Sequence, residues 1–191
     1  FLPAHSLSAA FDAGELSPSE VLEAQLSRIE RHGEKLAAFT EVYADDARQA
    51  AASATDAIRR GWRIGPLHGV TIALKDLCEI KGRETKGGTA ANAGRISTYT
   101  ATIAERALAA GMIIIGKTHT VEFAMGGWGT NQRLGTPWNP WDANIHRAPG
   151  GSSSGSGVAV AAGLTTMAIG TDTGGSVRLP AAWNGHFGLK T

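Results

Sequence analysis

From residue 69 onward the chain alternates short apolar, β-branched runs with helical segments, and this alternation restricts the fold more than any other feature. Val70–Leu74, Met112–Ile115 and Met167–Ile169 read as buried strands: each is a brief apolar run, too short for a helix, beside a glycine. Ala101–Ala110 and Ser154–Ala162 read as helices between them. Such an order of elements predicts an α/β sheet.

The first 60 residues read as helical. Ser17-Pro18-Ser19-Glu20 combines an N-capping serine, a proline at the first helical position and a glutamate at the third, ahead of Val21, Leu22, Leu26 and Ile29. This predicts an amphipathic helix ending before Gly33. A shorter helix is expected from Leu7 to Gly14, and an alanine-rich one from Ala44 to Arg60, with Asp45 and Asp46 at its start and Arg59 and Arg60 at its end, complementing the helix dipole. No repeat or low-complexity linker marks a boundary. One domain is expected, helical over 1–60 and carrying a sheet and catalytic core over 65–191.

Charge narrows the function. The 191 residues hold 18 Lys and Arg against 17 Asp and Glu, a net charge of +1, with no basic stripe of the kind that binds nucleic acid or a membrane surface. No apolar run is long enough to cross a bilayer. The single cysteine, Cys78, excludes an intrachain disulfide and favours a reducing, cytoplasmic setting, although a chain that begins with Phe1 leaves an upstream export signal open. The six histidines stand far apart, so neither a metal site nor a cofactor is expected.

The chemistry concentrates in two glycine- and serine-rich segments, Pro149–Gly163 (PGGSSSGSGVAVAAG) and Gly170–Ala182 (GTDTGGSVRLPAA). The first is no phosphate loop, because no Gly-Lys-Ser/Thr follows it, and no flexible linker, because it runs straight into Val158-Ala159-Val160. In the second, Ser176 follows Gly174 and Gly175, which carry no side chains to block access. Consecutive amides freed in this way can converge on one developing oxyanion. A serine nucleophile needs a base. His186 is alone near the C-terminal end, expected on a strand, and reads as structural. Lys75 closes the apolar run Val70–Leu74, and burial there would lower its pKa. It is the one lysine read as so placed, and pairing with Asp76 is the competing account of it.

These segments, with GPLHGVTIALKD over 65–76, resemble the amidase signature family in content and order. The resemblance covers roughly residues 17–191. It implies a mixed β-sheet core flanked by helices on both faces and a serine amidohydrolase that forms an acyl-enzyme on Ser176. Ser152 would bridge Ser176 to the base Lys75, and the peptide bond preceding Ser152 would be cis. The amides of Thr173, Gly174, Gly175 and Ser176 would form the oxyanion hole, Met125, Gly126 and Gly127 would line the acyl side, and Ser153, Asp172 and Arg178 would support the reacting serines. Trp128, Trp138 and Trp141 are candidates for stacking on an aromatic substrate, with core packing the preferred account of Trp141.

The expected substrate is a small or aryl amide, or a carbamate (urethane). The alternatives are the glutaminase component of a tRNA-dependent amidotransferase and an inert fragment. A homodimer is left open. The family commonly reads GGSSGGS where this chain has Gly151-Ser152-Ser153-Ser154-Gly155-Ser156, so Ser154 replaces a glycine and stiffens the turn. Family members are also generally more than twice as long, so the chain is expected to form the N-terminal portion of one amidase signature domain.

Overall fold

A computed structural model describes residues 1–191. The elements run α1 (Ala4–Ala13), α2 (Pro18–Leu36), β1 (Phe39–Val42), α3 (Ala44–Arg59), β2 (Thr71–Lys75), α4 (Thr102–Ala109), β3 (Ile113–Thr118), α5 (Ser154–Ala161), β4 (Met167–Ile169) and α6 (Arg178–Asn184). The start of α2 is the expected capping box: Ser17 Oγ accepts from the Glu20 amide, and the Glu20 carboxylate accepts from the Ser17 amide at 2.8 Å. The helix runs through Gly33 rather than ending before it, because Leu36 continues the buried face begun by Leu22 and Leu26. The region 1–60 is likewise not all helix. The four half-buried residues of β1 form a strand too short to stand out between two helices.

The sheet has the order β1-β3-β2-β4, with β2 parallel to both neighbours and β1 antiparallel to β3, so it is mixed. Between β2 and β3, Ile72 lies opposite Ile114 but Ala73 lies opposite Gly116, which leaves Ile115 as an extra residue, a β-bulge. Alternation along β2 divides the core between the two faces. Ile72 and Leu74 pack with Leu7 and Phe11 of α1 and Ala104 and Ala107 of α4. Ala73 packs on the other face with Leu22 and Leu26 of α2 and Ala47 and Ala51 of α3. Helices therefore cover both faces, as expected. On the α2 side α5 is pressed against backbone: a Cβ at Gly155 would overlap the Ala38 carbonyl and the His119 amide. That contact explains a glycine inside a helix, where it is otherwise unfavourable.

One buried ion pair braces the sheet. Lys117 Nζ, at the end of β3, donates to Asp76 Oδ1 at 2.9 Å and to Thr85 Oγ1 at 3.0 Å, and both charged side chains are almost fully excluded from solvent. Asp76 Oδ2 accepts from the Lys86 amide at 3.2 Å. Removing one member of such a pair strands the other charge, at about 3–5 kcal/mol. Lys117→Met should therefore lower the urea midpoint of unfolding by that equivalent with little change in slope; a loss below about 1 kcal/mol would show that the pair contributes little.

Candidate active site

Lys75 is the last residue of β2. The same alternation that divides the core turns Thr71, Ala73 and Lys75 toward α2 and α5, and Leu74 and Asp76 toward α1 and α4. Asp76 therefore pairs with Lys117, and the competing account of Lys75 as its partner falls. Lys75 is also not the one lysine buried at the end of an apolar run. Lys117 shares that property, and Gly116 separates it from its isoleucines.

Lys75 Nζ donates to Ser152 Oγ at 2.7 Å and to Thr171 Oγ1 at 2.8 Å, with both Lys75 and Ser152 at 0% exposure. Burial pushes the Lys75 ammonium down from its ordinary 10.5 to about 8, opposed in part by Cys78 and Asp172. Ser152 stands two residues before α5, its preceding peptide bond is cis, and its carbonyl accepts from the Val121 amide and Thr120 Oγ1, each at 3.1 Å. Thr171 was not singled out in the sequence. Its hydroxyl sits two residues beyond β4 and reaches Lys75 only because β4 pairs beside β2.

The loop bearing Ser176 is wrapped around a carboxylate. Asp172 Oδ1 accepts from the Gly175 amide at 2.7 Å, and Oδ2 accepts from the amides of Val177 at 3.0 Å and Arg178 at 3.3 Å. Arg178 adds two bonds, from Nε and Nη2, each at 3.0 Å. The Arg178 guanidinium first, then these amides, hold the Asp172 carboxyl well below the usual carboxylate range. The Gly175 amide is thus already engaged, whereas those of Thr173, Gly174 and Ser176 have no acceptor within the chain.

Ser153 ties the two loops together. Its amide donates to the Ser176 carbonyl at 3.2 Å, and its Oγ accepts from the Thr171 amide at 3.3 Å. Ser176 itself is half-buried, and no hydrogen bond joins its Oγ to that of Ser152. Ser154, which replaces the commoner glycine, begins α5 with its Oγ buried and unpartnered.

The Met125–Gly127 loop reaches the same place through backbone: the Gly127 carbonyl accepts from the Gly151 amide at 2.8 Å, and that of Trp128 accepts from Gly150 at 3.2 Å. The remaining candidates lie apart. His186 follows α6 in a loop rather than on a strand, its Nε2 bonded to the Gly157 carbonyl at 3.1 Å. Trp138 stacks on His146 and lies against Lys35. Trp141 is 73% exposed rather than packed in the core, since its Nε1 donates to the Asn184 carbonyl at 2.7 Å and its ring covers Gly185 from outside.

The fold is thus an α/β one, with a mixed sheet whose strand β2 delivers a buried lysine to hydrogen-bond a serine just ahead of α5. A sequence model of the amidase family matches residues 20–191, and the chain belongs to that family. It is 47% identical over 191 residues to a glutamyl-tRNA(Gln) amidotransferase component of Symbiobacterium thermophilum, an alignment covering 99% of this chain and 38% of that protein. Among solved structures it is similar to an amidase, with TM-score 0.88 and 36% identity over 96% of this chain and 42% of the other. It is also similar to the native peptide amidase from Stenotrophomonas maltophilia, with TM-score 0.87 and 37% identity over 96% and 38% respectively. The chain thus spans about two-fifths of the length of the relatives it matches.

Proposed function

We propose that the protein hydrolyses carbon–nitrogen amide bonds through an acyl-enzyme on Ser176. The observation that carries this reading is the buried Lys75 Nζ, 2.7 Å from Ser152 Oγ and held near pKa 8 by burial. As the neutral amine, Lys75 takes the Ser152 proton while Ser152 takes that of Ser176. Ser176 Oγ then bonds to the amide carbonyl carbon, the C–N bond breaks, and the same proton returns to the leaving amine. Water repeats the path, giving the carboxylic acid and free Ser176.

The amides of Thr173, Gly174 and Ser176 are free to receive the oxyanion, while that of Gly175 serves to hold Asp172. Asp172 and Arg178 thereby shape the nucleophile loop, and Ser153 joins it to the base. Met125, Gly126 and Gly127 flank Ser152 on the acyl side. Small and aryl amides, with carbamates, are the proposed substrates. No helix is long and apolar enough to cross a membrane.

The test is intact mass after exposure to a fluorophosphonate, on the protein expressed from its full gene, with p-nitroanilides, primary amides and carbamates as substrates. One adduct on Ser176 with amide cleavage supports the reading; no adduct and no cleavage sinks it. The name of the Symbiobacterium relative favours one second reading, a component of an amidotransferase. Its mark is ammonia release from glutamine that depends on added partner proteins and aminoacyl-tRNA.

Thr171 gives a finer check. Thr171→Val removes an acceptor from the Lys75 ammonium, so the acid limb of kcat/KM should move to lower pH, and loss of orientation should reduce the plateau about tenfold. A limb displaced to higher pH would contradict this placement.

A further inference from the structure

The backbone of residues 150–152 is held by a single stretch of chain. The Gly150 amide donates to the Trp128 carbonyl at 3.2 Å, the Gly151 amide to the Gly127 carbonyl at 2.8 Å, and the Ser152 carbonyl accepts from the Val121 amide and Thr120 Oγ1, each at 3.1 Å. The Thr120 hydroxyl shares its one proton with the Val121 carbonyl at 3.2 Å. All of these partners lie between residues 120 and 128. Thr120 and Val121 belong to no helix or strand, because β3 ends at Thr118, so their own position needs a separate source.

Asn131 supplies it. This side chain is buried, and its Nδ2 donates to the Thr120 carbonyl at 3.2 Å and to the Gly88 carbonyl at 2.7 Å. Its Oδ1 accepts from the amides of Arg133 at 3.1 Å and Leu134 at 2.9 Å. Two carbonyls at one end and two amides at the other fix which end is nitrogen, and they use both of its protons and both lone pairs of its oxygen. Asn131 is anchored in turn: its amide donates to Thr136 Oγ1 at 2.9 Å, and His119 Nε2 donates to the Leu134 carbonyl at 3.0 Å. Gly88 lies flush on the same segment, since a Cβ there would come within 2.7 Å of the Thr120 and Val121 carbonyl oxygens. An aspartate of the same shape would set lone pairs against the Thr120 and Gly88 carbonyls, so the place calls for a carboxamide.

We infer that Asn131 is a positioning residue for the Lys75–Ser152 relay, acting through Thr120 and Val121 on the Ser152 carbonyl. This rests on the amidase reading above and adds to it a residue that bonds to none of Lys75, Ser152 and Ser176. Lys75 is fixed by its strand, so the geometry of the relay depends on where the backbone of Ser152 is set. Loss of the Asn131 carboxamide leaves the buried Thr120 and Gly88 carbonyls without that donor and frees the 120–121 segment to move. A shift of about 1 Å in a reacting group costs on the order of a hundredfold in rate.

The experiment measures p-nitroanilide hydrolysis and the rate of fluorophosphonate labelling of Ser176, on the protein from its full gene, in wild-type and Ser152→Ala backgrounds. Asn131→Ala should lower kcat and the labelling rate roughly ten- to a hundredfold, with KM within about twofold of wild type. Added to Ser152→Ala, it should lower the labelling rate by less than about twofold, because no hydroxyl remains to be placed. Asn131→Asp keeps acceptors for the Arg133 and Leu134 amides; it should reproduce the fall and answer for an alanine variant that fails to fold. Thr120→Val should cost about three- to tenfold, since the Val121 amide still holds the Ser152 carbonyl, and Thr120→Ser should restore the rate. Equal losses in both backgrounds, or an unchanged kcat in Asn131→Asp, would overturn the assignment and leave the amidase reading standing. If Ser152→Ala labels too slowly to follow, the Thr120 pair decides, and equal rates for valine and serine overturn the assignment. A wild type that neither labels nor cleaves would overturn the two together.

Discussion

Ser176→Ala is expected to abolish the fluorophosphonate adduct and reduce amide hydrolysis about a millionfold, the scale of loss when a serine hydrolase loses its nucleophile. The size follows from geometry. Of the serines around Lys75, Ser152 and Ser153 are buried at 0% and 1% exposure and held by hydrogen bonds, whereas Ser176 is half-buried beside three unpaired amides. Neither Ser152 nor Ser153 can take its place without unmaking the bonds that fix it, and the unpartnered Ser154 hydroxyl is fully buried. The substitution removes an oxygen with no hydrogen-bond partner in the chain, so the thermal midpoint should stay close to wild type. Loss of activity with an unchanged melt separates chemistry from folding. Residual activity above about one per cent would transfer the nucleophile's role to another residue.

Lys75→Met is expected to cause a loss of comparable size, because neither serine retains a proton acceptor. It also removes a buried donor from Ser152 and Thr171 while filling the same space with an apolar chain, so the fold should persist. The wild-type pH profile supplies the independent check. In the proposed mechanism only the neutral amine acts as base, so kcat/KM should fall tenfold per unit below about pH 8 and level off above it. The sign is fixed: burial disfavours the charged form and brings the midpoint below the ordinary 10.5. A profile flat from pH 6 to 9 would remove Lys75 from the base's role. A midpoint near 10 would mean that the site admits water to the ammonium.

Much of this site was legible from residue order. A lysine ending an apolar run, and glycines preceding Ser176, report on local backbone and burial, which sequence patterns carry well. The helices flanking the sheet were legible for the same reason, down to the Ser17 cap. What was not legible came from contacts between distant segments. Thr171 touches Lys75 across two strands adjacent in the sheet but 96 residues apart in the chain. The engagement of the Gly175 amide by Asp172 depends on a turn whose path no spacing specifies. Trp141 misled because aromatic bulk suggests burial, while its indole N–H found a carbonyl at the surface. Strand β1 escaped because four residues give alternation too little length to show.

The bulge at Ile115 gives the two buried lysines their separate fates. Ile113 and Ile115 both point toward α2 and α3, and strict alternation would send Lys117 after them, onto the face that holds Lys75. The extra residue reverses the phase, so Lys117 crosses to the opposite face and finds Asp76. Two identical side chains at neighbouring positions of one sheet thus occupy two compartments, one paired with a carboxylate and the other eased toward neutrality by burial among hydroxyls. Were β3 to run at its present length without the bulge, both ammonium groups would share the face that holds Ser152, and Asp76 would stand alone on the far side of the wall.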